Sequence, residues 1–155
     1  MTIKSITPFL WFNSEAEEAA NFYLSLFPDS RITHVSRYGD AGPGPKGSAM
    51  VVAFELNGRR FTALNGGPTY KLSEAFSLLV DCTEQEEIDR LWEALSETPN
   101  VCGWTKDRFG LSWQINYAGL PDLMTGPKAG KVMGAMMGMK KIDIAAIEAA
   151  VHADA

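Results

Sequence analysis

The chain has 155 residues and a net charge of −5, with 46% hydrophobic and 21% charged residues. That balance fits a folded globular chain and excludes a disordered one. The acidic excess, with no basic run longer than Arg59-Arg60 or Lys140-Lys141, argues against nucleic acid, which needs a basic face to displace counterions.

The length suits one domain or two very small ones and lets roughly two-thirds of the unfolded surface be buried. No apolar run reaches the roughly 18 residues of a membrane span. Met1 to Ser14 lacks the basic-then-apolar build of a signal peptide, so a cytoplasmic location is expected. Cys82 and Cys102 are the only cysteines and form no Cys-x-x-Cys motif. They read as reduced thiols.

Ile6 to Phe12 reads as a first strand. Ser14-Glu-Ala-Glu17 reads as a capping box, after which Ala16, Ala19, Ala20, Tyr23, Leu24 and Phe27 recur at helical spacing up to Pro28. Ser30 to Tyr38 is a second strand and Gly39 to Gly47 a Gly/Pro loop. Ser48 to Leu56 and Arg59 to Asn65 form a hairpin about Asn57-Gly58, a pair that tolerates positive φ at both positions. Gly66-Gly67-Pro68 breaks the pattern.

The order then restarts. Phe76 to Asp81 is a strand, Thr83-Glu-Gln-Glu86 a second capping box, and Ile88, Leu91, Trp92 and Leu95 a helical stripe closed by Thr98-Pro99-Asn100. Val101 to Lys106 and Leu111 to Tyr117 make a hairpin around Arg108-Phe109-Gly110, with Asp107 organising the turn. An offset of 69 residues lays Ser14 on Thr83, Glu17 on Glu86 and Phe22-Tyr23 on Leu91-Trp92. This is an internal repeat, and two units that each leave one sheet face bare can pair those faces into a core or cleft. From Gly119 onward no strand is indicated. Pro127 suits a first helical turn; Val132, Ala135, Met136 and Met139 share a face; Ile142 to Val151 is a further helix. Gly130, Gly134 and Gly138 each weaken a helix by about 1 kcal/mol relative to Ala, so either the helix is weak or another backbone packs close.

Several segments carry a resemblance. They are Ile6-Thr-Pro-Phe-Leu with Phe22-Tyr23, Phe61-Thr-Ala-Leu-Asn-Gly-Gly-Pro68, Cys102-Gly-Trp-Thr-Lys-Asp-Arg-Phe-Gly-Leu-Ser-Trp-Gln-Ile115, and Met139-Lys-Lys-Ile-Asp-Ile-Ala145. The chain resembles the PhnB-like branch of the vicinal-oxygen-chelate (glyoxalase/bleomycin-resistance) superfamily, a branch labelled 3-demethylubiquinone methyltransferase. The resemblance implies an α+β fold of paired βαβββ modules forming curved mixed sheets around a cleft, with a C-terminal helical tail. It implies one domain over residues 1–155, with module one near 1–70, module two near 74–118 and the tail near 119–155. It also implies a homodimer.

Metal-dependent relatives take inward ligands from the first and last strands of each module. Here those places fall near Thr7/Pro8 and Thr62, and near Phe76/Ser77 and Gln114. Gln114 is the only plausible ligand, and Thr69 stands where relatives often carry a histidine after Gly-Gly-Pro. With only His34 and His152 in the chain, neither a metal quartet nor a nucleophile–base triad is supported, and no metal or other cofactor is expected. Gly42-x-Gly44-x-x-Gly47 precedes a strand rather than opening a helix, and Pro43 and Pro45 lack the needed N–H groups, so methyl transfer has no nucleotide-type turn to rest on. Glu17-Glu18 and Glu86-Glu87 read as helix-dipole partners, not catalytic pairs.

By alternation, Thr7, Phe9 and Trp11 share a face, as do Arg60, Thr62 and Leu64, and as do Ser112, Gln114 and Asn116. By the plan of the family that the chain resembles, the Gln114 and Thr62 faces look into the cleft, so a ligand cleft is expected to use Phe9, Trp11, Thr62, Asn65, Thr69, Trp104 and Gln114, apolar with a few polar anchors. The expected function is metal-independent binding of a small, flat molecule by a homodimer, without nucleic-acid or membrane partners. Catalytic residues are not assignable from the sequence. The alternatives are a metal-dependent lyase, isomerase or dioxygenase of the same superfamily, or a regulatory dimer with a closed cleft.

Overall fold

The computed structural model describes residues 1–153. The fold is α+β, with two four-stranded mixed sheets and a helical C-terminal region. The chain divides into two compact units, residues 1–72 and 73–155.

In the first unit, β1 (Phe9–Phe12) is followed by α1 (Ala16–Leu26), β2 (Arg31–Arg37), β3 (Ala49–Leu56) and β4 (Arg59–Asn65). The sheet order is β1-β4-β3-β2, with β1 parallel to β4 and the other pairs antiparallel. The β3–β4 hairpin turns at Asn57 and Gly58, with φ of 49° and 79°. Two consecutive positive φ values match the right-handed twist of the flanking strands, which is why this dipeptide was legible. One face of the sheet is closed by α1. Its small residues Ala16, Ala19 and Ala20 let the helix come close, and Tyr23 is fully buried with its ring 6.5 Å from that of Phe54. Burying a ring of that size is worth roughly 2–3 kcal/mol.

The second unit repeats the plan with β5 (Ser77–Cys82), α2 (Gln85–Leu95), β6 (Thr98–Pro99), β7 (Trp104–Lys106) and β8 (Ser112–Tyr117), in sheet order β5-β8-β7-β6. Ile88, Leu91 and Leu95 of α2 are buried, as are Trp113 and Ile115 of β8. The residues read as closing the second helix form β6, where Thr98 and Pro99 pair with Lys106 and Thr105. Both β1 on β4 and β5 on β8 align at Phe12↔Asn65 and Cys82↔Tyr117. The strands therefore repeat at an offset of 70 (12 to 82), one more than the offset of 69 (16 to 85) between the helix starts.

Neither capping box forms. The N-caps are Glu15 and Glu84, and neither side chain caps its helix. In α1 the first amide is met from outside: Ala16 N donates to Asn65 Oδ1 at 2.8 Å. Tertiary structure has taken over a job that the local sequence offered to Ser14.

The tail forms α3 (Leu120–Thr125), α4 (Ala129–Met137) and α5 (Ile144–His152). Pro121, not Pro127, occupies a first helical turn. A Cβ built at Gly130 or Gly134 meets nothing within 4 Å. No backbone packs there, so these glycines simply weaken α4. The tail is fastened to its unit through polar contacts. Cys102 N and Gly103 N donate to the carbonyls of Met139 and Lys140, each at 2.8 Å. Gln85 donates from Nε2 to Ile142 O and accepts at Oε1 from Ile144 N. Tyr117 Oη donates to Glu148 at 3.0 Å, which raises the Tyr117 pKa. Lys141 pairs with Asp89 and, together with Gln85, lowers the Asp89 pKa.

Cys82 and Cys102 are free thiols. Burial pushes the Cys82 thiol up to about 11, with Glu87 and Asp81 adding to the shift. No helix among the described residues is long and apolar enough to cross a membrane.

Candidate functional site

Each unit leaves one sheet face without a helix. In the first unit, register places Phe9, Thr62, Ala53 and His34 in one row of that face and Trp11, Leu64, Val51 and Ser36 in the next. Phe9 is 58% exposed although it is a large apolar residue in a strand. Trp11 is half-buried and held on two sides. Its Nε1 donates to Gly67 O at 2.9 Å, and the ring of Tyr70 meets it edge-on at 5.0 Å. A Cβ at Gly66 would overlap the indole, so this glycine makes room for the ring, while Gly67 serves its own positive φ of 93°. Thr69 is exposed in the turn that follows.

Asn65 is placed differently from expectation. It follows Phe61 and Ala63 to the helix side of β4, where it is buried and bonds Ala16 N and, through Nδ2, Ala49 O. Its own carbonyl accepts from Tyr38 Oη at 2.5 Å. Asn65 is a structural bracket on the helix side of the sheet. Period-two alternation, carried to the end of β4, separates it from Thr62.

In the second unit the bare face carries Ser77, Ser112 and Lys106 in one cross-strand row, and Leu79, Gln114 and Trp104 in the next. Gln114 Nε2 donates to Ser77 Oγ at 3.0 Å. Lys106 is paired with Glu74, whose carboxyl it holds below the usual carboxylate range. Ser112 is 1% exposed, and its hydroxyl finds no partner among the described residues. Sequence reasoning sets Ser112 beside Gln114 and names Ser77 as an inward first-strand place, but it reaches neither Lys106 nor the Ser77–Ser112–Lys106 row, because cross-strand neighbours require the register.

The structure thus collects Phe9, Trp11 and Thr62 on one face, and Trp104 and Gln114 on another. The first–last strand positions test the metal-site pattern. Phe9 faces Thr62, and Leu79 faces Gln114. One amide in these four places does not make a metal site, and among the described residues no three His, Cys, Asp or Glu side chains gather as one. His34 is exposed on β2, and His152 ends α5 beside Glu148. The glycine motif at 42–47 joins β2 to β3 as a strand-to-strand loop. Gly42 and Gly44 are small because Tyr38 lies against them: a Cβ at Gly42 would stand 2.9 Å from that ring. These residues do not fit a methyl-donor cofactor.

The family model described as 3-demethylubiquinone-9 3-methyltransferase matches residues 4–116. The chain belongs to this family. Within it the PhnB-like branch is indicated by a solved structure from Bacillus cereus, described as a putative 3-demethylubiquinone-9 3-methyltransferase, PhnB protein. This chain is 36% identical to that PhnB protein. The match covers 74% of this chain and 100% of the other, with a TM-score of 0.67. Protein PA1353 from Pseudomonas aeruginosa shares the fold at 24% identity and TM-score 0.59, covering 74% of this chain and 98% of its own. No curated protein matches the chain. The family model ends at Asn116, before the tail helices begin, so the tail lies outside the matched residues while its partners Gln85, Cys102 and Gly103 lie within them.

Proposed function

We propose that this PhnB-like protein is a metal-independent homodimer that binds a small, flat, largely apolar molecule, and that its family's methyltransferase description does not name its activity. The observation that carries the reading is the bare face of the first sheet. Phe9 stands 58% exposed there beside Trp11, an indole locked by Gly67 O and Tyr70. A rigid aromatic ring next to exposed apolar surface gives contact area with little entropy left to lose on binding. Thr62 adds a polar anchor in the same row as Phe9. The donor set fits neither a metal nor a methyl donor, which favours binding over the lyase, isomerase or dioxygenase chemistry of the wider vicinal-oxygen-chelate superfamily.

The test is a melting-temperature screen of tag-free protein against neutral polyaromatic compounds, run beside Trp11→Ala and elemental analysis after supplementation with Mn, Fe, Ni and Zn. A ligand bound only by the folded state must raise the melting temperature. The expected result is a shift that Trp11→Ala removes, with metal well below stoichiometric. A near-stoichiometric metal lost in Gln114→Ala would replace this reading with the enzymatic one. Sedimentation at several concentrations tests the dimer.

A further inference from the structure

We propose that the helix-free face of the second sheet is an acid-binding subsite, in which Lys106, Ser112 and Ser77 hold the carboxylate of an aromatic acid whose ring lies on Trp104, and in which Glu74 pairs with Lys106 until the ligand displaces it. The proposal rests on the small-molecule-binding reading and names a ligand class for it.

Four observations meet at one row of the sheet. Ser77, Ser112 and Lys106 are direct cross-strand partners on β5, β8 and β7, so their side chains stand side by side. Ser112 is 1% exposed with a hydroxyl that has no partner among the described residues. A buried hydroxyl without a partner is destabilising, and such a group in a native chain calls for a reason. Ser77 Oγ already accepts from Gln114, which leaves its own hydrogen to donate. Lys106 supplies the positive charge, so three donors and no acceptor-only group belong to this row.

The fourth observation is Glu74. It lies three residues before Ser77, and its carboxylate pairs with Lys106 on the far side of β8. The ion pair therefore runs from the segment before β5 to Lys106 on β7, across the end of β8. It is a solvent-exposed pair, with the Glu74 side chain 60% exposed, and such pairs are cheap to exchange. Ser112 Oγ is closed off in the free protein, so a ligand carboxylate that takes the lysine from Glu74 reaches the two hydroxyls only as the Glu74–Lys106 pair opens. Trp104 sits two residues from Lys106 on the same strand and the same face, half-buried, where it can support a ring attached to that carboxylate.

The experiment compares 1-naphthoate with its neutral isostere 1-naphthamide by calorimetry on the full chain at pH 7. Naphthoate is expected to bind roughly tenfold or more tightly than the amide, since a hydrogen bond to a charged group is worth about 1.5–3 kcal/mol. Glu74→Gln, which removes the internal competitor, should tighten naphthoate and leave naphthamide unchanged. Lys106→Met should abolish the preference. Ser112→Ala should weaken naphthoate while leaving the melting temperature of the free protein equal or higher, an outcome that a packing role for the hydroxyl would not give. Equal affinity for acid and amide overturns the proposal, as does unchanged naphthoate binding in Lys106→Met. So does absence of naphthoate binding in both wild type and Glu74→Gln. The neutral-compound screen with Trp11→Ala, on the first unit, is unaffected by any of these results and judges the broader reading separately.

Discussion

The two units share one plan and close it in different ways. At the end of its last strand the first unit has Asn65, which turns back to cap α1 and to hold β3. The equivalent place in the second unit is Tyr117, aligned with Cys82 as Asn65 is with Phe12, and its hydroxyl reaches outward to Glu148 of α5. The hairpins differ in the same sense. Asn57 and Gly58 solve theirs with backbone conformation alone. The β7–β8 loop is built on the buried carboxylate of Asp107, which accepts from Phe109 N and Leu111 N and from Trp113 Nε1. The lesson is that a repeated βαβββ unit conserves its strand register while the bonds that close it are free to move, to another strand in one copy and to the tail in the other.

The contrast can be broken most severely at Asp107. Asp107→Ala orphans two amides and a buried indole N–H and should cost about 3 kcal/mol or more, read as a lower urea midpoint with a changed Trp113 environment. Asn65→Ala strips the first unit of its bracket. It should cost about 2 kcal/mol, with hydrogen exchange accelerating at Ala16 first. Gln85→Ala sharpens the comparison from the other side. About 1 kcal/mol should be lost, with faster exchange at Ile144 and no change at Ala16.

Alkaline pH gives a gentler probe of the same difference. The Tyr117 pKa is raised in the folded state by its bond to Glu148, so its stabilisation is complete below the unfolded tyrosine value of about 10 and fades as pH rises through the folded one. Cys82, raised to about 11, weakens the fold over the neighbouring window from its ordinary value of 9.0 upward. A Tyr117→Phe variant should therefore lose only the tyrosine part of the alkaline decline, measured as the difference in urea midpoint between pH 8 and pH 11. The smallest effect is a gain: Gly130→Ala meets open space on α4 and should stabilise by about 0.5–1 kcal/mol, a rise of a few degrees in melting temperature.

Much of this architecture was legible from the chain alone. Alternation and the Asn57-Gly58 turn located β2 to β4, with β4 correct at both ends, and the recurrence of strand, helix and strands gave the second unit. The misses have physical causes. Ser14 and Thr83 carry capping-box chemistry, but α1 is capped by a residue 49 positions away, which no local pattern reports. β6 is two residues long and includes a proline, so it has no periodicity to detect. Within the candidate site, Phe9, Trp11 and Thr62 share one helix-free face and Trp104 and Gln114 another, whereas Asn65, three residues after Thr62, lies on the helix side of β4. Ser77 is legible only as an inward first-strand place and Lys106 not at all, because their relation to Ser112 is a register between three strands and not a pattern within one.

The fastening of the tail has a consequence for synthesis. A chain emerging from the ribosome presents Asn65 early, and the first unit can bond α1 to β4 from its own residues. Gln85, Cys102 and Gly103 emerge with their partners still unmade, and wait for residues 139–144 before the second unit can finish. A nascent chain paused between those points carries one completed unit and one open one, and that interval is where a chaperone or a protease would find it.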